Sequence, residues 1–104
     1  MIVSNEPGYY KTGDFGIRIE NLLKVVDAGE GKVTPDGRPF HKFEKLTMIP
    51  IQKSLIDQSL MTKSELDWLD DYHLLVWNTV GPRMQGGGEG EKWLRRACEA
   101  IERE

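Results

Sequence analysis

The 104-residue chain has a single cysteine, Cys98, which excludes an internal disulfide. That suits a reducing compartment, and the cytoplasm is the expected location. No apolar run approaches the roughly 20 residues that cross a bilayer, and no charged-then-apolar leader opens the chain, so no membrane partner is expected. Excess positive charge is missing too: 14 Lys and Arg stand against 17 Asp and Glu, for a net charge of -3. Nucleic acids and anionic membranes want clustered positive charge. Here the basic residues sit beside acids, as at Glu44-Lys45 and Glu91-Lys92. Apolar residues make up 38%, and the length suits one small domain rather than two. A chain this small leaves much of its surface wet when folded, so a partner, a further domain or more sequence is expected to complete it.

What is present changes period along the chain. Met1-Ile2-Val3 starts as a strand and runs at once into the turn-rich Ser4-Asn5-Glu6-Pro7-Gly8. This is either a short N-terminal strand or a chain cut from a longer protein at an internal Met. Phe15, Ile17 and Ile19 alternate with Gly16, Arg18 and Glu20, as in a strand with two unlike faces. Leu22, Leu23, Val25 and Val26 continue it as an apolar run suited to a strand covered on both sides. Residues 27–38 are rich in Gly, Lys and Asp, and Pro35-Asp36-Gly37 marks a turn in an exposed hairpin connection. Residues 40–51 read as a further strand, interrupted at Pro50.

From Thr62 the period becomes helical. Thr62 and Glu65 have the capping-box spacing. Leu66, Leu69, His73, Val76 and Val80 recur at three and four, with Trp68, Tyr72, Leu75 and Thr79 as a second stripe. Gly81-Pro82 ends or kinks this helix. Residues 85–90 form a Gly-rich flexible joint, and a last helix is expected over about 90–103. Its face carries Trp93, Leu94, Ala97, Cys98 and Ile101, which makes Cys98 a buried structural thiol. The reading is therefore α+β: a small antiparallel sheet over residues 1–51, then two helices, the first packed on the sheet.

Two acids stand out. Glu6 sits in Asn5-Glu6-Pro7-Gly8-Tyr9-Tyr10, and Glu20 ends Gly16-Ile17-Arg18-Ile19-Glu20. Each has an ordinary reading: Glu-Pro-Gly is a common turn, and Arg18 and Glu20 fit the wet face of a strand. Each also has a chemical reading. Arg18 and Glu20 share one face of a strand, where opposite charges pair. A paired carboxylate stays ionised and fixed in direction, which a hard divalent cation requires. Glu6, near the end of a neighbouring strand, reaches toward the same point. His73 is read as a packing residue on its helix stripe and His41 as exposed.

Residues 1–10 together with Phe15-Gly16-Ile17-Arg18-Ile19-Glu20-Asn21 resemble the end of the catalytic domain of aminopeptidase P. That family shares the pita-bread fold with methionine aminopeptidase, prolidase and creatinase. Thr47-Met48-Ile49-Pro50-Ile51 and Leu66-Asp67-Trp68-Leu69-Asp70-Asp71-Tyr72-His73 resemble the C-terminal extension of its larger cytosolic type. The resemblance fades after Gly81. It implies that residues 1–53 are the last strands of a pita-bread catalytic domain and residues 54–104 a helical extension packed on it. It implies a metal-dependent X-Pro aminopeptidase, which cuts the bond between an N-terminal residue and a following proline. It implies two divalent ions, manganese being expected, held by two Asp, one His and two Glu. On the motif match Glu6 is the first of these glutamates and also handles protons, Glu20 is the second and bridges the ions, and Arg18 and Tyr10 orient the carboxylates.

The family's two Asp and its His belong to upstream motifs that this sequence lacks, and neither His41 nor His73 matches the metal-binding position. Two of five protein ligands are present. The isolated chain is therefore expected to be inactive, with metal absent or weakly bound, and to form a homodimer. The alternative is a non-catalytic binding or dimerisation module that keeps the pita-bread ending.

Overall fold

The period-two segments become five short strands: β1 (Ile2–Asn5), β2 (Gly8–Lys11), β3 (Phe15–Arg18), β4 (Asn21–Asp27) and β5 (His41–Lys45). All pairing is antiparallel. β1, β4 and β5 form a three-stranded sheet in that order, and β2 with β3 forms a separate two-stranded ribbon. The computed structural model describes residues 1–84 and 86–104, which group into two units, Met1–Thr47 and Met48–Glu104.

In the first unit β2 turns into β3 through Gly13, whose φ of 75° needs a residue without a Cβ. The 28–40 connection folds on itself through a Val33–Pro39 bridge, and the Gly37 amide closes the Pro35-Asp36-Gly37 turn on the Thr34 carbonyl at 2.9 Å. This is the expected exposed connection. Four expectations are corrected. The sheet is not one but two, and strand structure breaks at Ile19-Glu20 rather than running from Phe15 to Val26. β4 is not covered on both faces: Leu23 and Val25 are half-buried while Leu22 and Lys24 are exposed. Three strands alone supply no second layer to cover them, and none of the described residues in this unit is buried. The strand expected over 40–51 ends at Lys45. Beyond it, the Ile49 carbonyl accepts from the Tyr72 hydroxyl at 2.6 Å and the Ile51 amide donates to His73 Nε2 at 3.0 Å, so these groups serve a helix and not a ladder.

The second unit holds the hydrophobic core. Its long helix, α1 (Lys63–Val80), starts at the expected capping box: the Glu65 amide donates to Thr62 Oγ1, and the Thr62 amide donates to Glu65 Oε2. Leu66, Leu69, Tyr72, His73 and Val76 are its buried residues. Gly81-Pro82 ends it in a single tight turn, as anticipated. Gln85, part of the expected joint, lies outside the described residues; Gly86 and Gly87 have positive φ. The last helix, α2, spans Glu89–Ala97 and not 90–103. Side chains from elsewhere in the unit satisfy the groups past its end. Lys53 Nζ donates to the carbonyls of Arg96 and Glu99, Asp70 accepts from the Ile101 amide at 2.9 Å, and Arg103 pairs with Asp67 and Asp70. Leu94 of α2 packs with Tyr72 and Val76, and half-buried Cys98 joins that cluster. Burial pushes the Cys98 thiol up, which fits an unreactive packing role.

Candidate functional site

Glu6 and Glu20 occupy the two breaks between the sheet and the ribbon. Asn5 faces Asn21 at the end of one ladder, and Gly8 faces Arg18 at the start of the next. The register is the same in both. Two residues separate the ladders on each side, so Pro7 faces Ile19 and Glu6 faces Glu20. The Ile19 amide donates to the Pro7 carbonyl at 3.1 Å, which carries the register across. Pro7 has no N–H to return the bond, and that missing donor is why the ladder lapses here.

Directly opposed residues of an antiparallel pair share one face. Glu6, Gly8 and Tyr10 therefore line a row opposite Glu20, Arg18 and Gly16. The Val25 amide donates to the Met1 carbonyl and the Ile19 amide to that of Pro7, so odd-numbered partners exchange the backbone bonds. Glu6 and Glu20 form a pair without backbone bonds, the class in which opposed side chains come closest. Like charges so placed repel unless a cation joins them. The sequence expectation paired Arg18 with Glu20; the structure instead puts Arg18 Nη1 4.0 Å from Glu6 Oε1. That pair is half-exposed and loose, so it neutralises little. Among the described residues no hydrogen bond or ion pair holds the Glu20 carboxylate.

Two opposed, exposed carboxylates fit part of a hard-cation site, which takes oxygen ligands of this kind. They are only part of one: among the described residues no group of three or more His, Cys, Asp or Glu is placed to hold a metal ion. His41 is exposed on β5 across from Asp27, and His73 is fully buried in the second unit with Nε2 committed to Ile51. Burial first, and the Lys53 charge second, hold the His73 ring below the ordinary histidine range. Tyr10 lies with its ring over Gly8 and Gly16. The sequence reading passed over those two glycines, although an isolated glycine in a strand pattern is a signal of close approach. On the opposite face Tyr9, Phe15 and Ile17 are exposed, with the Tyr9 and Phe15 rings 5.9 Å apart.

Residues 39–101 match the family model for the C-terminal region of peptidase M24. The chain belongs to this family. It is 44% identical to a probable Xaa-Pro aminopeptidase P from Laccaria bicolor, over 97% of this chain and 16% of the relative. It is 50% identical to aminopeptidase P2 of Arabidopsis thaliana, over 90% of this chain and 13% of the relative. The crystal structure of X-prolyl aminopeptidase from Caenorhabditis elegans, described as a cytosolic enzyme with a di-nuclear active site, superposes with a TM-score of 0.80 at 38% identity. That match covers 96% of this chain and 16% of the solved one. The fold is thus α+β, the C-terminal part of a pita-bread fold, with small antiparallel sheets followed by two helices. No described helix is long and apolar enough to cross a membrane.

Proposed function

We propose that this chain is the C-terminal part of a metal-dependent X-Pro aminopeptidase, acting on peptides with proline in second position. The observation that carries the reading is the placing of Glu6 opposite Glu20, on the face shared with Arg18 and Tyr10. The relatives' names and the di-nuclear site of the Caenorhabditis enzyme support it. Residues 1–53 are read as the last strands of the catalytic domain and residues 54–104 as its extension. The whole protein is placed in the cytoplasm, as its Caenorhabditis relative is, and is read as a homodimer.

In this reading Glu6 and Glu20 are the residues of this chain that would hold the metal centre, through their carboxylate oxygens. Arg18 stands 4.0 Å from Glu6 Oε1 and biases the direction of that carboxylate, and Glu6 is read as also taking and returning a proton. When bound, two divalent cations, manganese by the family pattern, lower the pKa of a shared water and polarise the scissile carbonyl. Tyr10 lies in the same row, over Gly8 and Gly16, and is read with Arg18 as orienting the carboxylates. The remaining ligands, two Asp and one His, come from outside this chain.

The test is hydrolysis of Arg-Pro-Pro by the full-length protein with manganese, beside its Glu20→Ala variant. Release of arginine that disappears in the variant is expected. Unchanged turnover in Glu20→Ala would overturn the assignment. A full-length protein that binds no manganese, turns over no X-Pro peptide and still self-associates through this segment would favour the non-catalytic module.

A further inference from the structure

Gly8 opens β2 and Gly16 is the second residue of β3, where glycine weakens a strand relative to alanine. Neither has the positive φ that would call for glycine. The Tyr10 ring lies over both, and at Gly8 a Cβ would also come within 3.0 Å of the Ile17 carbonyl oxygen. A Cβ on Gly16 would stand 2.7 Å from Tyr10 Cδ1. A Cβ on Gly8 would stand 2.7 Å from the Tyr10 hydroxyl oxygen and 2.9 Å from Cζ. Side chains of a strand ordinarily stand away from the sheet. Tyr10 instead lies flat. Its near edge covers Gly16, the residue directly opposite, and its hydroxyl reaches back over Gly8, the residue directly opposite Arg18. Beyond Gly8 in the same row stand Glu6 and Glu20. Tyr10 is 65% exposed, so no packing from above holds it in that direction; the bare backbone beneath does. Aromatic rings lying on cross-strand glycines are a recognised sheet device.

We propose that Gly8 and Gly16 are positioning residues for the acidic site: by presenting no Cβ, they let Tyr10 lie along the ribbon with its hydroxyl turned toward Arg18, Glu6 and Glu20. The inference rests on the metal reading given under Proposed function. A methyl at either glycine lifts the ring and withdraws the hydroxyl from the row of charges. The cluster then loses the group that bounds it on the ribbon side.

The experiment titrates manganese into the full-length protein by calorimetry and follows the α-proton shifts of 13C-labelled Gly8 and Gly16. Upfield α-proton shifts from the overlying ring are expected, and they vanish in Tyr10→Ala. Gly16→Ala is expected to weaken manganese binding about 10-fold, the lower end for groups that orient ligands. Tyr10→Ala weakens it by a similar factor, and the double variant binds no worse than Tyr10→Ala alone. Tyr10→Phe keeps the ring on the glycines and removes only the hydroxyl, so it reports even if Gly16→Ala does not fold; it too is expected to bind about 10-fold more weakly. Wild-type affinity in Gly16→Ala or Tyr10→Phe overturns the proposal. So does a Gly16→Ala loss that adds in full to that of Tyr10→Ala. Glu20→Ala separates the two levels. If it leaves manganese binding unchanged, the metal reading fails and takes the inference with it. If it abolishes binding while Gly16→Ala and Tyr10→Phe do nothing, only the positioning role falls.

Discussion

The Ile19 amide donates to the Pro7 carbonyl at 3.1 Å, and this bond keeps the sheet and the ribbon in one register with Glu6 opposite Glu20. The two acids are fourteen residues apart in sequence, as Glu6 and Glu20 number. They meet only because the chain turns at Gly13 and pairs back without a slip. A slip of one residue would send one of them to the other face.

In the full-length protein Glu6→Ala and Glu20→Ala should both lose activity and keep the fold, because both carboxylates are exposed and support no core. Glu20→Ala should also lose metal, which elemental analysis of the purified protein measures. Arg18→Ala should be milder. Its contact with Glu6 is loose, so the effect should fall within the roughly 10–100-fold range of ligand-orienting groups. An Arg18→Ala loss as large as that of Glu20→Ala would contradict this ranking.

This chain alone should show no X-Pro aminopeptidase activity, even with excess manganese. A two-ion site must hold its cations roughly 3.5–4 Å apart against their repulsion. Glu6 and Glu20 supply two negative charges, and Arg18 offsets part of one. A two-carboxylate site leaves manganese mostly hydrated and loosely held. The assay is loss of the N-terminal residue from Arg-Pro-Pro. Turnover that survives removal of contaminating peptidases and vanishes in Glu20→Ala would refute this, and would mean that copies of the chain complete the site between them.

The isolated chain should self-associate. β1 and β5 are open edges of the three-stranded sheet, and Tyr9, Phe15, Ile17 and Phe43 are exposed on the first unit. Open edges beside exposed apolar residues invite strand addition from a second copy. Sedimentation should show dimers or larger species at about tens of micromolar, where such edges pair. A clean monomer there would count against it.

Acid should destabilise the second unit through His73. Its Nε2 must be unprotonated to accept from the Ile51 amide, and burial holds the ring below its ordinary value of 6.5. Lys53 works in the same direction and Asp70 against it; the neighbouring Tyr72 hydroxyl is committed to Ile49. The unfolded chain therefore takes up the proton first as pH falls. The contribution is complete above 6.5, declines between 6.5 and the lower folded value, and is flat below that. Urea midpoints at about pH 7.5 and about pH 5, within the histidine range, should differ in the native sequence and differ less in His73→Gln. His73→Leu strands the Ile51 amide and should cost about 1–3 kcal/mol. Equal pH responses of the native and His73→Gln chains would exclude the role.

Much of this was legible in the residues. Thr62 and Glu65 announced the start of α1, because capping is local and three residues suffice to form it. Leu66, Leu69, His73 and Val76 announced its buried stripe, because helical spacing alone puts them on one face. The Glu-Pro-Gly-Tyr-Tyr and Gly-Ile-Arg-Ile-Glu motifs marked Glu6 and Glu20 as a pair to watch. Tertiary structure decided the rest. Arg18 turned toward Glu6 and not Glu20, since a cross-strand neighbour competes with a neighbour two residues along. The strand after Phe40 stopped at Lys45, because Tyr72 and His73 claim the backbone groups of Ile49 and Ile51. The last helix stopped at Ala97, because Lys53, Asp70 and their neighbours satisfy the carbonyls and amides that another turn of helix would have used. Periodicity and capping are written within a few residues of chain; the choice of partner for a charge or a backbone group depends on what folding brings beside it.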